Sequence, residues 1–190
     1  MVIVFTGNGK GKTTASLGQM VRVLGRGKSA LMIQFIKGPW ESGEDEFAKM
    51  FQATSDPPPQ RLRRAGKRQG REFEIKKMGL GFVGILGDRL PREDHEKAAA
   101  QALEYFKEQT ASKKWYLIVL DEINVAVSLG LLKPEQVLDA IKDYPKERLL
   151  ILSGRSAPQE FIDAADLATE MKEIKHPFND AELAKYGAEF

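Results

Sequence analysis

The sequence predicts an α/β fold of three layers, with a mostly parallel sheet between helices. Three observations lead there. A short apolar run, Val2-Ile3-Val4-Phe5, passes through a glycine-rich turn into a segment of helical character. A second apolar run, Ala30 to Ile36, follows that helix and completes a β-α-β unit. Further apolar runs, Trp115 to Leu120 and Leu149 to Leu152, recur downstream with helical stretches between them. Short runs that are apolar throughout are the mark of strands covered on both faces, as parallel strands are.

The chain has 190 residues, and one domain over 1–190 is the expected organisation. It contains no cysteine, which excludes disulfides and thiolate metal sites. Two histidines, His95 and His176, are too few for a multi-histidine zinc site. A net charge of +2 with 29% charged residues gives no reason in itself to expect a nucleic-acid partner. No apolar run is long enough to cross a bilayer. The first strand begins at Val2, so no signal peptide is expected ahead of the fold, and the cytoplasm is the default location.

The turn after the first strand holds Gly7, Asn8, Gly9, Lys10, Gly11, Lys12, Thr13 and Thr14. Strand, glycine turn, helix is an anion-binding arrangement. Backbone N–H groups converge on the anion and the helix N-terminus adds positive potential. Lys12 supplies a point charge, and the Thr13 hydroxyl can hold Mg²⁺. Gly11-Lys12-Thr13 meets the end of the pattern G-x-x-x-x-G-K-[ST], but Thr6 stands where its first glycine belongs. The turn is a variant phosphate loop.

The helix that follows carries Leu17, Met20, Val21 and Leu24 at helical spacing and ends near Gly25 and Gly27. The β-α-β unit predicts that the strand Ala30–Ile36 pairs in parallel with the first, through a right-handed crossover. Lys37-Gly38-Pro39-Trp40 then leaves the sheet as a loop at its carboxyl end, where open α/β sheets bind ligands. Asp45 to Gln52 reads as a short helix.

Residues 53–71 contain Pro57-Pro58-Pro59 and then Arg61, Arg63, Arg64, Lys67, Arg68 and Arg71. This is a basic loop, either solvated or an arm for an anionic ligand or nucleic acid. No aromatic residue is interleaved there, so base stacking is not expected. Glu72 to Met78 reads as a strand. Gly79-Leu80-Gly81-Phe82-Val83-Gly84 spells G-x-G-x-x-G, yet a dinucleotide site needs a helix to open at once. Gly87, Asp88 and Pro91 delay any helix to about Pro91. The stretch reads instead as a flexible loop presenting Phe82, to a ligand or to the core.

Pro91 to Gln109 reads as a helix, with proline in its first turn and Glu93 and Asp94 near its positive end. His95 reads as a surface residue on it. Trp115 to Glu122 is a buried strand delivering Asp121 and Glu122 to its carboxyl end. A carboxylate there can meet the Mg²⁺ of a nucleoside triphosphate, directly or through water. Capping of the helix from Ile123 is the structural alternative. Pro134 to Tyr144 is a helix and Leu149 to Leu152 a strand. Arg155 follows it, placed either to hold phosphate or carboxylate or to form a simple ion pair. Pro158 to Ala165 reads as helix and Leu167 to Ile174 as a last strand.

Taken together, these residues resemble the P-loop type of ATP:corrinoid (cobalamin) adenosyltransferase. The likeness lies in Thr6 to Thr14, Gln34 to Gly38, Gly43-Glu44, Gly81-Phe82, Leu120 to Asn124, Gly154-Arg155, Ala164 to Asp166 and Lys175 to Phe178. It covers about Val2 to Gln52 and Met78 to Phe178. The resemblance implies a RecA-like sheet, usually in a homodimer. It implies an enzyme that moves the 5′-deoxyadenosyl group of ATP to a Co(I) corrinoid and releases triphosphate, in adenosylcobalamin synthesis or salvage.

ATP is then the co-substrate, the corrinoid the acceptor and Mg²⁺ the metal. Gly7 to Thr13 would wrap the triphosphate, with Thr14 and Arg155 in the same nucleotide site. Lys12 would neutralise it, and Thr13 with Glu122 would hold the metal. Lys12, Glu122 and Phe82 are the implied catalytic set. The nucleotide lies on the loop in an unusual direction in this family, with which Thr6 is consistent. A flavoprotein reductase is an admissible partner; membrane and nucleic acid are not expected.

Members often carry Gly-Phe-Thr-Trp where this chain has Gly81-Phe82-Val83-Gly84. There the aromatic pair is thought to displace the lower axial ligand of the corrinoid. Phe82 is kept, but Gly84 takes the tryptophan position. The basic segment Arg61 to Arg71 has no counterpart in the family pattern. The competing readings are a P-loop ATPase or kinase, and a nucleotide-gated module that binds corrinoid or nucleic acid.

Overall fold

The computed structural model describes residues 1–53, 72–85 and 87–175. Most of the basic segment (54–71), the His176-Pro177-Phe178 motif and the tail 179–190 lie outside the described residues.

The apolar runs form strands β1 (Val2–Thr6), β2 (Ala30–Gln34), β3 (Phe73–Lys77), β4 (Leu117–Asp121), β5 (Leu149–Ser153) and β6 (Leu167–Glu170). They make one sheet in the order β3-β2-β4-β5-β1-β6, and every pairing is parallel. The helices are α1 (Lys12–Gly25), α2 (Gly43–Ala53), α3 (Arg92–Ala111), α4 (Ile123–Ser128), α5 (Pro134–Ile141) and α6 (Gln159–Ala164).

Strand side chains alternate between two cores because successive residues point to opposite faces. Ile3, Ala30, Met32, Leu117 and Val119 pack with Met20, Val23 and Leu24 of α1 and Ala48 of α2. Val4, Leu31, Ile33, Ile118 and Leu120 pack on the other side with Ala99, Leu103 and Phe106 of α3, Val137 of α5 and Phe161 of α6. The result is the three-layer α/β fold that the sequence predicts. β5 lies between the phosphate-loop strand β1 and the acid-bearing strand β4, a RecA-like order.

Several details differ from expectation. β1 and β2 are parallel but not neighbours, since β4 and β5 lie between them. β4 is buried at all five positions and β5 at four, so these strands take the doubly covered centre. Val21 is 54% exposed. The buried stripe of α1 is Lys12, Ser16, Met20 and Val23–Leu24, and this phase, started by Lys12, turns Val21 outward.

His95 is buried rather than on the surface, at 3% exposure. It belongs to the α3 stripe His95, Ala98, Ala99, Ala102, Leu103 and Phe106, whose steps of three and four are helical. β6 ends at Glu170, not Ile174, because the chain then turns over the phosphate loop.

Phe106 is fully buried and stacks on Tyr144 with ring centroids 6.1 Å apart. Phe106→Ala is expected to cost about 3–5 kcal/mol through lost burial and the cavity left behind. A lower denaturant midpoint at unchanged slope checks this; a stability loss of under about 1 kcal/mol would show that the layer re-collapses.

Candidate active site

The strand order brings the carboxyl ends of β2, β4, β5 and β1 side by side. The phosphate loop runs from Gly7 to Gly11, with Gly7 at φ 92° and Gly11 at φ 111°, a region that L side chains seldom adopt. Lys12 opens α1 and is 7% exposed. Its Nζ donates to the carbonyls of Gly7 (2.8 Å) and Gly9 (2.7 Å), drawing the loop into a ring. Burial holds the Lys12 pKa below the usual lysine value; Arg155 also lowers it, while Glu122 and Asp121 oppose.

Gly9 has a second constraint. A Cβ there would lie 2.7 Å from the Met171 carbonyl oxygen, and one on Gly7 would lie 2.5 Å from the same atom. The Gly9 N–H donates to that oxygen at 2.6 Å. The segment leaving β6 therefore covers one side of the loop, and this N–H is already engaged. Asn8, Lys10 and Thr14 are exposed.

Asp121 is fully buried at the end of β4. Oδ1 accepts from Thr13 Oγ1 (3.1 Å) and Ser153 Oγ (2.7 Å), and Oδ2 accepts from Gln34 Nε2 (3.1 Å). The residue expected to share Thr13's metal was Glu122, yet the direct hydrogen-bond partner of the Thr13 hydroxyl is Asp121.

Glu122 follows at φ 62°, ψ 20° as the residue before α4. A left-handed conformation on a non-glycine residue costs on the order of 1 kcal/mol or more and marks a position fixed by its surroundings. The Glu122 N–H donates to Ser153 Oγ at 3.3 Å. Gly154, at φ +131°, leaves room for it: a Cβ there would sit 3.1 Å from Glu122 Oε2. Burial first, and the Asp121 carboxylate second, push the Glu122 pKa up to about 7, against the pull of Lys12, Arg155 and Lys37. Arg155 stands exposed after β5, close enough to act on both Lys12 and Glu122. Asn124, also fully buried, donates to Phe5 O (3.2 Å) and Gly154 O (3.0 Å) and so ties the end of β1 to that of β5.

Phe82 stands apart from this cluster on the loop after β3, 48% exposed. Asp88 pins that loop by accepting from Gly84 N–H (2.8 Å), Leu90 N–H (3.0 Å) and His95 Nε2 (3.0 Å). Gly84, at φ +70°, has open space around it. Phe82 pairs with the ring of Trp40, from the loop after β2, with centroids 6.3 Å apart.

A glycine loop with a buried lysine, facing two carboxylates one strand away, is the arrangement of the P-loop class of α/β proteins. A family model described as ATP:corrinoid adenosyltransferase BtuR/CobO/CobP matches residues 1–190, and the chain belongs to that family. The corrinoid adenosyltransferase of Escherichia coli (strain K12) is 31% identical over 190 residues, spanning 100% of this chain and 85% of that protein. The Salmonella typhimurium corrinoid adenosyltransferase is 32% identical over 191 residues, with 100% and 85% covered. That of Pseudomonas aeruginosa is 34% identical over 190 residues, with 100% and 83% covered.

With its pKa raised from 4.5 to about 7, Glu122 keeps a proton in the folded state that the unfolded chain has lost. Stability from this group is full below about pH 4.5 and is lost as pH rises through about 7. The loss is on the order of 3 kcal/mol. Glu122→Gln cannot ionise, so the variant should melt above the parent at pH 8 and with it at pH 4. Equal melting at both pH values would show that the carboxylate is not strained by its surroundings.

Proposed function

We propose that the chain transfers the 5′-deoxyadenosyl group of ATP to the Co(I) centre of a corrinoid and releases triphosphate. The carrying observation is the convergence of Lys12, Thr13, Asp121 and Glu122 on the phosphate loop, in a chain of this family. Attack at the ribose C5′ makes the whole triphosphate the leaving group. The protein's tasks are then to hold that charge, to align C5′ and to exclude water. Co(I) is itself a strong nucleophile, so no side-chain nucleophile is required.

Each residue has a task in this reading. Lys12 already points into the loop and needs only to exchange a carbonyl for a phosphate oxygen. Gly7, Asn8, Lys10, Gly11, Thr13 and Thr14 line the turn that wraps the triphosphate, with Gly9 shaping it. Arg155 closes the crevice from the β5 side. Thr13 Oγ1, Asp121 and Glu122 are hard oxygen donors, and a divalent cation would offset both the burial and the neighbouring Asp121 charge that raise Glu122. That donor set suits Mg²⁺ shared with nucleotide phosphates. Bound there, Mg²⁺ supplies Lewis-acid stabilisation of the departing triphosphate. The same reading takes the chain as one domain acting as a cytoplasmic homodimer, with a flavoprotein reductase as electron source.

Purified protein with ATP, Mg²⁺ and chemically reduced cobalamin should give a light-sensitive Co–C product and triphosphate. ADP with orthophosphate in its place would overturn the reading. Lys12→Ala and Glu122→Ala should each lower the rate about 100-fold or more with the fold intact by circular dichroism. A near-normal rate in either would displace that residue from the site.

A further inference from the structure

Trp40 is a large, exposed side chain that the mechanism above leaves unused. The residue is 65% exposed, yet it is not loose. It lies across two glycines. A Cβ on Gly38 would come within 2.6 Å of Cζ3, and one on Gly81 within 3.1 Å. The Trp40 carbonyl accepts from Lys77 Nζ, and Lys77 also pairs with Asp45. Asp45 in turn accepts from Ser42 N–H (2.8 Å) and Ser42 Oγ (2.7 Å), fixing the loop where it enters α2. A rigid, exposed aromatic ring has lost its conformational freedom before any ligand arrives, which favours binding.

Its neighbour is Phe82, tilted 35° from it. Ile85 and Leu90, on the Phe82 loop, are 59% and 46% exposed. The two loops share a root beside the nucleotide site. Gln34 ends β2 with its side chain on Asp121, and its carbonyl accepts the N–H groups of Met78 and Gly79. The Trp40 loop leaves from the same strand end. Two tilted rings from separate loops do not make the flat slot that a single base would need. With the apolar residues beside Phe82 they suit a broad, largely apolar ligand.

We infer that Trp40 is a corrinoid-facing specificity residue, which forms with Phe82 an aromatic seat for the corrin macrocycle beside the phosphate loop. The inference rests on the adenosyltransferase reading. Trp40 touches the acceptor and not the nucleotide, so its loss acts on one substrate only.

Steady-state kinetics of Trp40→Ala and Trp40→Phe, with each substrate varied in turn, test this. For Trp40→Ala the expected result is a rise in KM for reduced cobalamin of about 10- to 100-fold, as for truncation of a central aromatic anchor. The KM for ATP should stay within about twofold, and Trp40→Phe should recover most of the loss. Thermal melting confirms that each variant is folded. An unchanged corrinoid KM with active protein overturns the Trp40 assignment and leaves the adenosyltransferase reading standing. A rise in the KM for ATP assigns the ring to adenine and overturns it too. So does a smaller assembly on gel filtration, which would assign Trp40 to a contact between copies. Failure of the parent protein to form any Co–C product overturns both readings.

Discussion

The Asp121 carboxylate is the constraint that the site depends on. It is fully buried and takes hydrogen bonds from Thr13 at the head of α1, Gln34 at the end of β2 and Ser153 at the end of β5. Removing one partner from such a network leaves the others unpaired in a low-dielectric interior, which costs more than the single bond. Three elements are thus held in one register by one residue. The phosphate loop is aligned with the strand that carries Glu122, and the β2 loop with both. Burial first, and this same carboxylate second, push the pKa of the neighbouring Glu122 up.

Much of this was legible in the sequence, for reasons that differ by element. The phosphate loop could be read because its chemistry lies in eight consecutive residues. Asp121 and Glu122 could be read because an apolar strand that ends in acids delivers them to a known edge of a parallel sheet. The partners of Asp121 could not. Gln34 and Ser153 reach it only because β4 lies between β2 and β5, and local pattern does not reveal strand order. For the same reason β1 and β2 look like neighbours in the sequence and are not.

His95 is a different case. Its spacing from Ala98, Ala99 and Ala102 announces a buried face, and residue type outweighed period in the reading. Its bond to Asp88, which orders the Phe82 loop, is a long-range consequence that no local signal carries. The aromatic pair shows the same limit. Gly84 offers no ring beside Phe82, whereas Trp40, 42 positions earlier by residue number, does.

Gly9 is the loop residue most easily read as a concession to phosphate alone. Its backbone also closes against Met171, and this turns the edge of the sheet into part of the loop. β6 is four residues long and exposed at every one, the kind of strand that frays first. It is held by pairing with β1, by Met171 N–H on Thr6 O (2.8 Å) and by Gly9 N–H on Met171 O (2.6 Å). Fraying of this strand consequently removes one of the contacts that hold the phosphate loop. The loop keeps its own bonds from Lys12 to the Gly7 and Gly9 carbonyls, but the Gly9 N–H is covered only while the segment leaving β6 stays in place.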